Sequence, residues 1–149
     1  MTTVAVSGGF DPVHVGHIEL FKKARALGDK LVVILNNDNW LKKKRGFVFM
    51  NENERKEVLL AIRYIDNVII TSHQDNPTDM SICRELETLK PDIFANGGDR
   101  DKKDADNKSS SLNSEQELCD RLGIKMVFNL GEKVQSSSEL VKKVKDKIP

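Results

Sequence analysis

The sequence predicts an α/β protein in which five parallel strands form a doubly wound sheet with helices on both faces. Two observations support this prediction: short apolar runs recur along the chain, and the segments between them repeat apolar residues at helical spacing. Strands that alternate with helices favour right-handed crossovers and a parallel sheet covered on both sides. With 149 residues, 38% of them hydrophobic, the chain fits one domain spanning residues 1–149.

The apolar runs are predicted as buried strands because each is short and rich in Val, Ile, Leu and Phe. In chain order they are Val4–Val6, Leu31–Leu35, Val68–Ile70, Ile93–Ala95 and Lys125–Phe128. Five helices are predicted from apolar residues three or four positions apart, which share one helix face. Their stripes are Leu20, Ala24 and Leu27; Val58, Ile62 and Ile65; Ile82, Leu86 and Leu89; Leu118 and Leu122; and Leu140, Val141, Val144 and Ile148.

Capping residues and polar composition mark two helix starts and one loop. Asn76 and Pro77 have the residue types of an N-cap and a first helical position, and Ser136 with Glu139 has the spacing of a capping box. The polar segment 102–111 has no periodicity, so it is predicted as a loop that acts as a mobile flap.

Charge and cysteine content limit the classes of partner and compartment. Lys and Arg number 24 against 23 Asp and Glu, so the formal charge of +1 gives no overall reason to expect nucleic acid as a partner. Cys83 and Cys119 lack metal-type spacing and are interpreted as buried thiols of a reducing compartment. The N-terminus lacks a signal pattern, and no apolar run approaches the ~18 residues needed to span a bilayer. A cytoplasmic protein with no membrane partner is therefore expected.

The turn after the first strand has the composition of an anion site. Gly8 and Gly9 allow close backbone approach, and a helix beginning near Val15 presents free N–H groups to a phosphate. His14 and His17 lie three residues apart across its first turn, so both rings can face one side. The alternative is that both histidines only cap the helix or are half-buried. A metal site is less attractive, because no third His or Cys lies nearby in sequence.

The segment "GGFDPVHVGH" resembles the signature of the H-x-G-H nucleotidyltransferases, the cytidylyltransferase-like superfamily with Rossmann-like folds. The resemblance continues, in the family's order, through "LGDKLVVILNNDNWLKKKRG", "NENERKEVLLAIRYIDNVII", "FANGGDR" and "QSSSELV". Glycerol-3-phosphate cytidylyltransferase and heptose-1-phosphate adenylyltransferase are most similar in pattern. The resemblance implies that a substrate phosphate attacks the α-phosphate of a nucleoside triphosphate and releases pyrophosphate, with Mg²⁺ bound to the nucleotide.

The resemblance also implies a role for each matching residue. Catalytic positions are His14, His17, Lys42 and Arg55. Positions implied in nucleotide binding are Gly8, Gly9, Phe10, Asp11, Gly16, Gly97, Gly98, Asp99, Ser136, Ser137 and Ser138. Those implied in binding the phosphorylated substrate are Asp38 and Lys44. No residue is assigned to a metal. The segment Arg63–Asp66 resembles a subunit interface and implies a homodimer.

The resemblance leaves the substrates open. Many cytidylyltransferases have an Arg a few residues before the serine motif, where this chain has Lys133, which lacks the bidentate fork of Arg. CTP is favoured and ATP is the alternative, with a small phosphorylated alcohol or a heptose-type sugar phosphate as acceptor. An alternative of another class is a catalytically silent nucleotide-binding regulatory module. An aminoacyl-tRNA synthetase is discounted, because the chain has no room for the additional domains.

Overall fold

The computed structural model describes residues 1–97, 105–108, 110–131 and 140–144. The strands are β1 (Thr3–Gly8), β2 (Lys30–Leu35), β3 (Asn67–Ile70), β4 (Ile93–Gly97) and β5 (Lys125–Leu130). The helices are α1 (Val15–Arg25), α2 (Asp38–Arg45), α3 (Glu52–Leu60), α4 (Cys83–Leu89) and α5 (Ser111–Leu122). Residues 140–144 are also helical. All five predicted strands are confirmed, each one to three residues longer than its apolar run.

The strands form one parallel sheet in the order β3-β2-β1-β4-β5. The chain moves outward from β1 to β3 on one side and from β4 to β5 on the other, so strand order reverses between β1 and β4. In a doubly wound sheet, ligands bind beyond the carboxyl ends of the strands at that reversal. The topology therefore places a candidate site beside Gly8 and Gly97, where β1 and β4 end.

Side chains alternate between two buried layers, one on each face of the sheet. Val4 and Val6 of β1 pack with Phe21 of α1 and Leu59 of α3 in one layer. The intervening Ala5 belongs to the opposite layer, which contains the buried apolar residues Ile34, Leu86, Phe94, Leu112 and Leu118. Helices therefore cover both faces, and the predicted fold class is confirmed. None of the helices in the described ranges has both the length and the apolar character needed to span a bilayer.

The helix predictions were less accurate than the strand predictions. Leu27 lies beyond the end of α1 and is 38% exposed, and Val58 on α3 is 44% exposed. Ile62 and Ile65 follow the end of α3, whose buried face consists of Arg55 and Leu59. A charged residue on the buried face displaced the apolar pattern by one position, so the predicted stripe of α3 was wrong. The stripes of α4 and α5 are buried or half-buried as predicted.

Helix α2 was not predicted, because Leu41 is its only buried residue and leaves no stripe. Its ends are nonetheless marked in sequence: Asn37 accepts a hydrogen bond from the Trp40 N–H, and Gly46 adopts a left-handed φ of 89° at the C-cap. Asn37 and Gly46, on either side of eight residues, therefore indicate a helix that the apolar spacing does not.

The predicted helix start at Asn76 and Pro77 was wrong, because α4 begins at Cys83. The preceding residues are non-helical, and hydrogen bonds to α2 hold them there. The His73 carbonyl accepts from the side chains of Asn37 and Asn39, and the Met80 carbonyl accepts from the Trp40 indole. These long-range bonds outweigh the local capping preference.

The structure differs in part from the mobile flap expected over residues 102–111. Residues 102–104 and 109 lie outside the described ranges, but Ala105 is fully buried, and its carbonyl accepts from Asn113 Nδ2 at 2.7 Å. Ser111 already belongs to α5. Both cysteines are free thiols; Cys119 is buried as expected, and Cys83 is half-buried. Burial, reinforced by Glu115, raises the pKa of the Cys119 thiol to about 12.

Candidate active site at the carboxyl ends of the strands

A cleft of about 640 Å³ lies at the carboxyl ends of β1, β2 and β4. The turn after β1, helix α1, helix α2, the residues before α4 and the start of α5 form its walls. The lining residues are Ser7, Gly8, Gly9, Phe10, His17, Leu20, Asn36, Trp40, Lys44, Met80, Ile82, Gly97, Ser110, Ser111 and Glu115. Its position matches the reversal of strand order.

His14 and His17 stack at the N-terminus of α1, with ring centroids 3.7 Å apart and planes inclined by 22°. His14 is the N-cap, and its Nδ1 accepts from the Gly16 N–H at 3.1 Å. His17 Nδ1 accepts from the His14 N–H at 3.2 Å, which completes a reciprocal capping box. The capping interpretation of the histidines is therefore correct, and it is compatible with a role in binding, because each cap uses only one ring nitrogen.

The capping bonds fix the tautomer of each ring. A neutral imidazole whose Nδ1 accepts a hydrogen bond carries its proton on Nε2, so both rings present an N–H donor at Nε2. Burial lowers the pKa of His14, and burial together with the charge of His14 lowers the pKa of His17 to about 3. The pair is therefore neutral near pH 7. Its two Nε2–H groups are hydrogen-bond donors suited to phosphate oxygens at the N-terminus of α1.

The lowered pKa of His17 predicts that acid destabilises the protein. Below pH 6.5 the unfolded chain takes up a proton on this histidine, whereas the folded ring takes it up only near pH 3. The free energy of unfolding should therefore fall with decreasing pH across that interval, by about 1.4 kcal/mol per pH unit for one proton. Urea unfolding at several pH values tests this. The His17→Asn variant should show a shallower slope, and an equal slope in both proteins would contradict the assignment.

Packing within the protein leaves little room for a side chain at either of the paired glycines. A Cβ on Gly8 would lie 2.8 Å from the ring of Phe10, and one on Gly9 would lie 2.8 Å from Leu41 Cδ2. Phe10 adopts a left-handed φ of 47°, is buried, and contacts His17 edge to face with centroids 4.8 Å apart. Phe10 thus supports the His17 ring from inside the cleft wall.

Asp11 does not line the cleft. Its carboxylate is buried, forms an ion pair with Arg45, and accepts from the backbone N–H groups of Phe49 and Met50, both at 2.7 Å. Asp11 therefore fastens the turn after β1 to the segment between α2 and α3. Its implied role in nucleotide binding would have to be indirect.

Arg55 is buried beneath the cleft, with 1% of its surface exposed. Its guanidinium donates to the carbonyls of Gly9 (2.8 Å), Asn36 (2.6 Å) and Met50 (2.8 Å) and to Asp38 Oδ1 (2.7 Å). The sequence resemblance implied a catalytic role for Arg55 and substrate binding for Asp38. The structure instead pairs these two side chains with each other, where they hold the ends of β1 and β2 and the start of α2 together.

The four basic residues at the end of α2 occupy four different environments. Lys44 lines the cleft, one helical turn after Trp40. Lys42 is exposed and is not among the lining residues. Lys43 donates to Asn76 Oδ1, and Arg45 pairs with Asp11. Lys44 is therefore the cation of this run that the structure brings into the cleft.

Several lining residues were not identified from the sequence. Asn36 and Glu115 are buried polar residues of the wall, with 4% and 2% of their surfaces exposed. Trp40 donates its indole N–H to the Met80 carbonyl at 2.9 Å, which joins α2 to the residues before α4. The position of Asn36 directly after β2 was the available signal, because side chains at the carboxyl ends of strands surround the site.

Of the remaining predicted site residues, some lie within the described ranges and others lie outside them. Gly97 ends β4 and lines the cleft, and Gly16 supplies the N–H that His14 accepts. Gly98 and Asp99, the serine motif and its capping box (Ser136, Ser137, Ser138 and Glu139) and Lys133 lie outside the described residues.

Comparisons with known proteins agree with this geometry. A family model described as cytidylyltransferase-like matches residues 5–144. The chain is 46% identical over 99 residues to the FAD synthase of Pyrococcus abyssi, an alignment that covers 66% of this chain and 64% of that protein. It is 34% identical over 139 residues to the bifunctional protein HldE of Geotalea uraniireducens, covering 91% of this chain and 27% of that protein.

A solved structure has a similar fold along most of the chain. The lipopolysaccharide core biosynthesis protein from Thermoplasma volcanium superposes with a TM-score of 0.70 and 26% sequence identity. The match covers 89% of this chain and 98% of that one. The family model and the solved structure thus point independently to one protein class.

Proposed function

Because the chain belongs to the cytidylyltransferase-like family of nucleotidyltransferases, we propose that it transfers an adenylyl group from ATP to a phosphate-bearing acceptor and releases pyrophosphate. The observation that supports this most directly is the stacked histidine pair at the N-terminus of α1, of which His17 lines the cleft. Nucleotidyl transfer needs no protein nucleophile. It requires that two phosphate groups be held in line and that charge be stabilised on the α-phosphate.

The proposed reaction is a single displacement. An acceptor phosphate oxygen attacks the α-phosphorus of ATP, a P–O bond forms, and the bond to the β-phosphate oxygen breaks. Negative charge increases on the α-phosphate oxygens as phosphorus becomes five-coordinate. His14 and His17 donate to those oxygens through Nε2–H. Because the lowered pKa values keep both rings neutral near pH 7, each ring acts as a fixed dipole whose Nε2–H donates a hydrogen bond.

Mg²⁺ enters the proposal as part of the nucleotide substrate. Within the described ranges, no group of three or more His, Cys, Asp or Glu side chains is placed to hold a metal ion. Mg²⁺ commonly keeps water and substrate phosphates as its ligands and needs few from the protein.

The relatives favour ATP over the CTP expected from the sequence. Two Pyrococcus proteins, 46% and 42% identical over 99 residues, are FAD synthases. FAD consists of AMP joined to flavin mononucleotide (FMN), so we take FMN as the first candidate acceptor. The chain spans 64% of the length of those relatives. Because the coverage is partial, FMN as the acceptor is a proposal. The long match to HldE keeps a sugar 1-phosphate as the second candidate.

A matrix of substrates tests the proposal. Pyrophosphate release should require ATP with FMN, and chromatography should show FAD as the product. Each of the four nucleoside triphosphates is combined with FMN, a heptose 1-phosphate or glycerol 3-phosphate, and the His17→Asn variant measures background. Release with CTP and glycerol 3-phosphate would restore the expected cytidylyltransferase. Release from no pair, with ATP still bound, would favour the silent regulatory module.

The expected homodimer forms part of the proposal. In the segment that resembles a subunit interface, Asp66 accepts from the Leu31 N–H at 2.8 Å and pairs with Arg25, so it has a role within the chain. Val58 and Leu60, at the end of α3 just before this segment, are 44% and 46% exposed. Apolar side chains exposed next to the segment support an interface there.

A further inference from the structure

Asn36 has a buried side-chain oxygen to which none of the described residues donates a hydrogen bond. The residue is 4% exposed and lines the cleft. Its backbone is fully used, because its N–H donates to the Gly8 carbonyl at 2.9 Å and its carbonyl accepts from Arg55 at 2.6 Å. Its Oδ1 has no partner among the described residues. A buried acceptor that forms no bond destabilises the folded state, and such an atom in a cleft wall indicates a ligand donor.

The surroundings of Asn36 define the chemistry of that ligand. Trp40 and Met80 line the same part of the cleft, and the indole N–H is already bonded to the Met80 carbonyl. Trp40 therefore offers the ligand an apolar surface. Lys44 follows Trp40 by four residues on α2, so the two side chains share a helix face. An apolar aromatic wall, an amide acceptor and one cation match a planar heteroaromatic ring that has an N–H donor and is linked to a phosphate.

Strand order indicates which substrate lies there. Asn36 follows β2, whereas Gly97 ends β4, and β1 lies between these two strands. The histidine pair follows β1, so the reacting phosphates meet near the middle of the cleft. The two substrates must approach from opposite sides for an in-line displacement. Apart from those in the turn after β1, the expected nucleotide residues begin at Gly97 on the β4 side and none directly follows β2, which leaves the β2 side for the acceptor.

We propose that Asn36 determines acceptor specificity: its Oδ1 accepts a hydrogen bond from a ring N–H of a heteroaromatic acceptor that packs on Trp40 and Met80, while Lys44 pairs with the acceptor's phosphate. This inference rests on the proposed nucleotidyl transfer. It adds the residues that distinguish a planar heteroaromatic acceptor from a sugar or a polyol phosphate.

Binding measurements with Asn36→Leu test the inference. Leucine has a similar volume and no acceptor, so calorimetry should show FMN bound about 10-fold more weakly, with the ATP affinity within about twofold of wild type. Asn36→Asp keeps an oxygen acceptor and should retain more FMN affinity than Asn36→Leu. Thermal unfolding separates recognition from a structural role: Asn36→Leu should be at least as stable as wild type, because it removes a buried unpaired oxygen.

Two further variants test the cation. Lys44→Ala should weaken FMN binding, whereas Lys43→Ala should not, because Lys43 bonds to Asn76 and is not a lining residue. Weaker ATP binding by Asn36→Leu with unchanged FMN binding would mean that Asn36 contacts the nucleotide base, and would overturn the inference. A lower melting temperature with unchanged ligand affinities would overturn it as well.

Failure of the inference and failure of the proposed function give different results. If wild type binds no FMN but releases pyrophosphate from ATP with a heptose 1-phosphate, nucleotidyl transfer stands and the heteroaromatic acceptor is wrong. If no acceptor supports pyrophosphate release, the proposed function fails. In that case FMN binding that depends on Asn36 would still support the recognition site.

Discussion

Replacing His14 or His17 with Asn is expected to lower kcat by about 10²- to 10³-fold, the usual effect of losing one donor to a developing oxyanion. Asn is chosen because its Oδ1 can accept the same backbone N–H that each Nδ1 accepts in the capping box. The variant thus keeps the helix cap and loses the Nε2 donor. Steady-state pyrophosphate release gives kcat, and calorimetry gives the affinity for ATP.

The paired Ala variants serve as the control. His14→Ala and His17→Ala lose the cap as well as the donor, so they should match the Asn variants in kcat. Their free energy of unfolding should be lower by about 1 kcal/mol per lost cap, and they should unfold at a lower temperature. The role in catalysis requires that the loss fall mainly on kcat. Near-normal turnover in the Asn variants, or a loss confined to ATP affinity, would assign the histidines to capping or ground-state binding alone.

Arg55→Met is expected to destabilise the protein more than any other single change considered, by about 3–5 kcal/mol, because it removes a fully buried guanidinium whose partners include the partly buried carboxylate of Asp38. Asp38 loses its guanidinium partner, and the carbonyls of Gly9, Asn36 and Met50 lose their donor. For a chain of this length the melting temperature should fall by roughly 10 °C. Urea unfolding measures the free energy, and Arg121→Met, an exposed arginine in the last turn of α5, is the matched control.

A second variant keeps the role of Arg55 testable if Arg55→Met does not fold. Arg55→Lys retains the positive charge for Asp38 but lacks the planar fork that reaches three carbonyls. It should therefore be intermediate in stability, and its kcat should recover when the temperature is lowered. A stable Arg55→Lys protein with kcat reduced about 100-fold would indicate that Arg55 contacts the reacting phosphates in the bound state.

The strands were predictable because both faces of a parallel strand are buried, which leaves continuous runs such as Leu31–Leu35. Helices depend on a weaker signal: a stripe is recognisable on α5, whereas α2 has one buried residue and α3 buries Arg55. The prediction for α3 assumed that buried positions are apolar. A buried guanidinium is stable only where carbonyls from distant segments converge, and no local pattern records that convergence.

Some residues of the candidate site were predictable from the local sequence, and others were not. His14 and His17 were predictable because both the motif and its cap lie within four residues. The resemblance singled out Lys42 and Lys44, and the direction of α2 shows that Lys44 is the one that lines the cleft. For Asn36 the sequence offered only its position directly after β2. The partners of Asp11 lie 34 to 39 residues away. Side chains whose function depends on neighbours at such distances require the fold before they can be interpreted.

The hydrogen bonds around Arg55 also bear on the order in which the protein assembles. Its bond to Gly9 joins residues 46 positions apart, and contacts of such high sequence separation form only after the intervening loops have closed. A nascent chain that has emerged only through α1 already contains both histidines and Gly9, but it lacks Arg55 and its other partners, Asn36, Asp38 and Met50. The cleft around the H-x-G-H turn therefore forms late in folding. The fraction of molecules that bind ligand in the cleft then measures the fraction that has reached the native state.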